Sequence, residues 1–326
     1  MDKLTLIIPC KKEDYERMTQ NFSDYFEFFP IKEIILIGSL SLSKVLDKER
    51  EEGKFGDLPV RFLDEEELVS YDKMVKAVED HLAEKGYKID KSSRLGCYYQ
   101  QFLKMKYSEI CQDEYYMTWD IDTIPLRKKE IFDEKGHPYF DMKNEYQPGY
   151  FKTIEKLLGL KKMINKSFIS EHMVFKKEYM KEIIDIIMKY PVKGESFYEK
   201  IMYSIDLDNL KLGFSEFESY GTYVGMKHPE SYKLREWYSL RKGGFFTTSD
   251  KLDEATKSWL AGSFDAITFE AYNSINPELE EMFNNDEYRN GLSAMEFYKI
   301  ALEGGLFGVF TEEGLIKDDL YTRWPY

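Results

Sequence analysis

Cysteine is scarce in this chain of 326 residues: Cys10, Cys97 and Cys111 are its three, an odd number without Cys-x-x-Cys spacing. Neither a disulfide framework nor a cysteine-built zinc site is therefore expected, and buried free thiols are the simplest state. Long hydrophobic runs are missing as well. The apolar stretch LTLIIP near the amino terminus gives way to charge at once, too soon for a signal-peptide core or a membrane span. The expectation is a cytoplasmic protein, at most peripheral to the inner face of a membrane. No glycine-rich phosphate loop follows that stretch, where Ile8, Pro9, Cys10 and Lys11 stand instead. Repeats and low-complexity tracts are absent. Positive charge is short, with 46 Lys and Arg against 60 Asp and Glu and a net charge of -14, which opposes non-specific binding to nucleic acid.

What the chain does contain is core-forming material. Hydrophobic residues make up 43% and aromatics 16%, enough to exclude a disordered polymer. The acidity is uneven: residues 247–326 hold 6 basic and 16 acidic side chains, which leaves only -4 for the first 246. A phosphate-binding site in the earlier region works against no strong negative field.

Leu4–Pro9 reads as a buried parallel strand feeding a helix, and residues 34–37 (IILI, then Gly38) repeat the pattern. Residues 60–63 (VRFL) enter an acidic helix start at Asp64. Three strand-then-helix units in about 80 residues predict an α/β fold with a mostly parallel, Rossmann-like sheet flanked by helices. Residues 95–111 predict a partly buried helix carrying Gln101 and Lys104. An aromatic strand, Tyr115–Trp119, then runs into Asp120-Ile121-Asp122. Residues 167–175 read as a further strand, 176–189 as a helix, and 214–224 as an acidic turn joined to a strand-like run. Helical segments are expected at 277–283 and 292–302. A soft boundary near Thr247 divides a catalytic domain, residues 1–246, from an acidic helical appendage, residues 247–326. Within the catalytic domain, residues 1–127 are expected to bind the nucleotide and residues 128–246 the acceptor.

The acidic pair carries the chemistry. On an extended strand, residues two apart project to the same side, so Asp120 and Asp122 both turn toward one divalent cation, Mn2+ or Mg2+, while Ile121 points into the core. Such a cation suits a diphosphate leaving group, and the carboxyl end of a strand is where ligands sit in open α/β sheets. The competing meaning is that the two aspartates cap a turn. Arg94, Gln101 and Lys104 precede the pair on a helix that faces either a donor or solvent. Glu218, with Glu216 next, is the candidate base for taking a proton from an acceptor hydroxyl; a solvated acidic turn is the alternative. Arg235 and Arg241 belong to a basic cluster suited to neutralising a diphosphate, or to ion pairs with the acidic tail. Residues 152–166 are basic and amphipathic, a pattern of membrane-surface contact or of an ordinary solvated face.

YYMTWDIDTIPLR resembles the Asp-x-Asp segment of GT-A glycosyltransferases. RLGCYYQQFLKMKYSEI and FSEFESYGTYV are similar to segments of a bacterial family of glycosyltransferase-like proteins known only as a domain of unknown function, over roughly residues 3–245. The resemblance implies transfer of a hexose from a nucleotide diphosphate sugar, UDP-linked in the first instance, to a glycan or lipid-linked acceptor in surface polysaccharide synthesis. It implies that Pro9, Cys10 and Lys11 lie along the nucleotide and that Asp64 sits near the base or ribose. It places His172 at the donor-sugar loop and His228 as a third metal ligand; a packed, hydrogen-bonded ring and a plain loop residue are the respective alternatives. Rival functions are a nucleotidyltransferase or sugar-phosphate enzyme of similar fold, disfavoured by the missing glycine loop, and a non-catalytic glycan-binding scaffold.

Overall fold

The run LTLIIP is apolar at every position but Thr5, and all six residues are buried because both faces of its strand are covered. In β1 (Leu4–Pro9), Ile7 packs with Ile35 and Ile37 on one face, whereas Leu6 and Ile8 pack with Ile34 and Leu36 on the other, the period-two alternation of a strand. A computed structural model describes residues 3–18, 22–87 and 95–307 of the chain. After β1 come α1 (Lys12–Arg17), α2 (Phe22–Phe28), β2 (Ile31–Gly38), α3 (Leu40–Glu51), β3 (Val60–Asp64), α4 (Tyr71–Glu84), α5 (Leu95–Lys106) and β4 (Tyr115–Trp119). The short β5 (Thr123–Pro125) and β6 (Tyr139–Met142) lead to α6 (Pro148–Leu158) and β7 (His172–Lys176).

The central sheet has the order β3-β2-β1-β4-β7, parallel except for β7, which runs antiparallel to β4 at the edge. This is the mainly parallel α/β architecture that the sequence pattern predicts. Register fixes the working edge. Pro9 lies beside Ile37, Gly38 beside Asp64 and Ile7 beside Thr118, so the carboxyl ends of four strands open on one side.

Helices α7 (Lys177–Lys189), α8 (Phe197–Ser204) and α9 (Glu216–Lys227) join α4, α5 and α6 on one face, while α2 and α3 cover the other. The reading of 214–224 as turn and strand is corrected: this stretch forms most of α9. Every residue from Glu216 to Gly225 is buried, so the segment has no polar stripe to reveal a 3.6-residue period. Gly221 permits this packing, since a Cβ there would stand 2.4 Å from the Phe168 ring. In 167–175 only the last few residues are strand.

Beyond α9 lie β8 (Lys233–Glu236), which pairs with β6, and β9 (Ser239–Leu240), α10 (Glu254–Ala261), β10 (Ala266–Thr268), α11 (Pro277–Asn284), α12 (Asp286–Gly291) and α13 (Ala294–Glu303). The described residues after Thr247 form α10 to α13 and also supply β10, which sits between β5 and β9 in a three-stranded sheet. Its core of Phe246, Ile267, Phe283 and Phe297 includes Ile124 and Leu126, which follow directly on the acidic pair. No helix among the described residues is long and apolar enough to cross a membrane. The lysines of the basic stretch are engaged by protein: Lys152 pairs with Asp206, Lys161 with Glu155, and Lys156 donates to the Ser204 carbonyl.

Candidate functional site

Strand β4 ends at Trp119, so the two aspartates stand on a turn between β4 and β5 and not, as expected, on extended backbone. The Asp120 amide donates to the Glu171 carbonyl (2.9 Å) and the Thr123 amide to the Asp120 carbonyl (3.0 Å). The Phe269 amide, just after β10, donates to the Asp122 carbonyl at 2.7 Å. Beneath the turn, the hydroxyls of Thr123 and Thr268 meet at 2.9 Å, and Trp119 Nε1 and Tyr25 Oη both donate to the Thr123 carbonyl. The turn is thus pinned from three directions before its carboxylates do anything.

A cavity of about 670 Å³ opens in front of it. Asp120, Glu145, Glu171, Glu216 and Glu270 line the walls with Lys104, Arg241 and Lys242, so carboxylates outnumber cations five to three. Asp122 adjoins this set. Burial, then the negative charges of Asp120 and Glu270, push its carboxyl up to about 7. Burial likewise raises Glu270 and Glu216, partly offset by Arg241 and Lys104 respectively. Glu171 behaves in the opposite way. Although burial raises it, Lys143 and Arg241, with hydrogen bonds from Ser239 (2.6 Å) and Trp237 (2.8 Å), hold it down to about 2. It is a fixed anion in the cavity wall.

Of the residues expected from sequence, Asp120, Gln101, Lys104, Glu216 and Arg241 all line this cavity. Lys104 donates to Asp120 Oδ1 (2.8 Å) and Glu216 Oε1 (3.1 Å), and Gln101 Oε1 accepts from the Glu216 amide (3.1 Å). Arg241 donates to Glu270 (3.0 Å) and lies 3.7 Å from both Glu145 and Glu171. Pro9, Cys10, Lys11 and Asp64 lie along the same sheet edge without lining the cavity. Pro9 and Cys10 are buried, Asp64 accepts from the Glu66 amide (3.0 Å), and Lys11 reaches the first turn of α5 at Gly96. Arg94 lies outside the described residues.

Four expectations are corrected. Glu218 is two residues from Glu216 on a helix, about 200° round the axis, and faces away. It accepts from Ser167 (2.6 Å), and its second oxygen has no hydrogen-bond partner among the described residues. His172 is the packed ring: Nε2 lies 2.9 Å from Asp141, and the ring sits between Trp119 and Trp237 at 4.7 and 4.4 Å. Arg235 grips the same Asp141 with two nitrogens, at 2.7 and 3.0 Å, and so is committed to structure. His228 stacks on Tyr179 at 3.8 Å and meets Glu182 at 3.1 Å, in a different cavity with Glu114, Tyr115 and Lys176. That is the opposite end of β4 from Asp120. Helix α9 has 12 residues, so it carries the chain about 18 Å from Glu216 to His228.

Glu145, Glu171, Glu270 and the exposed Tyr272 at the cavity were missed by sequence reading, as was Lys143, which donates to Glu171 from outside the lining (3.3 Å). Glu270 had one legible signal, its place directly after the apolar run 266–269. The others come from loops with no pattern of their own.

No family model matches the chain, and no curated protein sequence does. Among solved structures, mouse xyloside xylosyltransferase 1 in its apo form is 15% identical, with a TM-score of 0.41 over 85% of this chain and all of that one. The galactosyltransferase LgtC, solved with donor and acceptor sugar analogues, is 11% identical, with a TM-score of 0.40 over 95% of this chain and 98% of its own. Glycosyltransferase GlyE of Streptococcus pneumoniae is 9% identical, with a TM-score of 0.33 over 93% of this chain and 64% of its own. Matches this remote assign no activity.

Proposed function

We propose that the chain is a glycosyltransferase of the GT-A type, moving a hexose from a nucleotide diphosphate sugar, UDP-linked in the simplest case, to a hydroxyl of a glycan or lipid-linked acceptor. The observation that carries this reading is the carboxylate surplus at the carboxyl edge of a parallel sheet, with Asp122 held up to about 7 by burial and by its acidic neighbours. Crowded like charges in a half-buried site are relieved by a cation. The donors are carboxylate oxygens, which suit a hard ion such as Mn2+ or Mg2+. Among the described residues no group of three or more acidic, histidine or cysteine side chains is arranged to hold a metal alone. This fits an ion held by one or two carboxylates and completed by phosphate oxygens.

Asp120 and Asp122 would hold that cation, which when bound supplies positive charge opposite the departing diphosphate. Arg241, hydrogen-bonded to Glu270 and flanked by Glu145 and Glu171 in the cavity wall, would supply positive charge to phosphate oxygens. Glu216 is the cavity carboxylate placed to accept the proton of an acceptor hydroxyl, or to orient that hydroxyl if configuration is retained. Pro9, Cys10, Lys11 and Asp64 follow the nucleotide along the strand ends. In this reading residues 1–246 are the catalytic unit, and the acidic region, residues 247–326, braces the aspartate turn from β10.

Calorimetric titration with UDP, with and without Mn2+, tests the reading in wild type and Asp122→Asn. Binding heat that requires Mn2+ and disappears in the folded variant supports it; metal-independent or absent heat in wild type favours the scaffold alternative. A hydrolysis screen across nucleotide sugars then names the donor.

A further inference from the structure

Lys104 is the least exposed cation of the cavity, with 5% of its surface accessible. Its ammonium bridges Asp120 Oδ1 and Glu216 Oε1 at 2.8 and 3.1 Å and lies 4.5 Å from the centre of the Phe217 ring. Its backbone is held too, because the buried Tyr116 hydroxyl donates to the Lys104 carbonyl at 2.9 Å. An amine clamped in this way does not swing aside as a surface lysine does. Any divalent ion approaching Asp120 therefore meets a fixed positive charge within hydrogen-bond distance of the same carboxylate.

We infer, resting on the proposed donor reading, that Lys104 is a resident counter-cation: it keeps Asp120 from taking a divalent cation alone, so that cation and nucleotide diphosphate are taken up together. The diphosphate supplies two things that the protein by itself does not. Its negative charge offsets the repulsion between Lys104 and the metal, and its oxygens complete a ligand set that the described side chains leave short. Lys104 is a positioning residue in this scheme. It acts through Asp120 and Glu216 and touches neither donor nor acceptor.

The test is Mn2+ binding followed by the free-ion electron paramagnetic resonance signal, with protein alone and with UDP present. Wild type is expected to bind Mn2+ weakly alone and much more tightly with UDP. Lys104→Met is expected to raise the nucleotide-free affinity by about tenfold or more, the scale of removing a unit charge within about 4 Å, whereas Lys104→Arg stays near wild type. An unmoved or lowered nucleotide-free affinity in a folded Lys104→Met overturns the inference while UDP-dependent uptake by wild type leaves the donor reading intact. No uptake by wild type even with UDP overturns both. Should Lys104→Met fail to fold, Glu216→Gln serves: it keeps an acceptor for Lys104 and removes the negative charge that offsets the ammonium, so the nucleotide-free affinity is expected to fall, and a rise refutes the idea.

Discussion

Asp265 joins the region after Thr247 to the strand that follows the aspartate turn, and its replacement by asparagine is a sharp test of how that junction is held. The side chain is fully buried. Oδ1 accepts from Arg127 Nε at 2.7 Å and lies 2.6 Å from Nη2. Oδ2 accepts from Lys129 Nζ at 2.6 Å and from the Tyr238 amide at 2.9 Å. The backbone adds Leu126 N to Asp265 O and Asp265 N to Tyr238 O, which Asp265→Asn leaves in place. The substitution removes the negative charge and turns one acceptor into a donor facing other donors. Two charge-assisted hydrogen bonds at about 1.5–3 kcal/mol each are lost. Arg127 and Lys129 are partly exposed and recover some hydration, so the net loss is about 3–4 kcal/mol, within the range for breaking a buried ion pair. With an unfolding entropy of about 2 cal/mol/K per residue, this lowers the Tm by about 5 °C. Thermal unfolding followed by circular dichroism measures it. A shift below about 1 °C would show that the three side chains contribute no net stability and that the apolar core alone holds the junction.

Three further outcomes follow from the same geometry. Asp141 is held down to about 2 because, against its burial, His172 and then Arg235 favour the anion. A depressed carboxyl contributes stability above its unfolded pKa of about 3.9 that is lost as pH falls toward 2, here about 2–3 kcal/mol; urea midpoints for wild type and Asp141→Asn should converge across that window and differ above it. His228→Ala, at the far end of the sheet, is expected to leave Mn2+-dependent UDP binding unchanged in calorimetry, and a tenfold loss would return His228 to the site. Gly221→Ala places a methyl against Phe168 and is expected to destabilise by about 1–3 kcal/mol in urea titration despite alanine's better helix propensity.

The aspartate pair and the strands around it were legible because their signals are local. Leu4–Pro9 announces a two-sided strand by being apolar on both faces, with Thr5 its one polar residue, and Tyr115–Trp119 delivers Asp120 to a strand end whatever the rest of the chain does. Lys104 and Gln101 were legible as residues of the helix that precedes the acidic pair, with a solvated face as the alternative. Elsewhere burial erased the signal, as in α9, where no polar face marks the helical period. For His228 a plausible position along the chain concealed the wrong end of an element, because a helix of fixed rise per residue separates it from Glu216.

By itself, then, the sequence determined the α/β layering, the parallel order of strand and helix, and an acidic pair at a strand terminus, since each depends on the nature and spacing of neighbouring residues. Only the tertiary structure decided which charges share the cavity. Glu171 and Glu270 reach Arg241 from segments far apart in the chain, and Glu218 and His172 turn away from it. Those partnerships are fixed by strand register and helix rotation, quantities that no short stretch of sequence specifies.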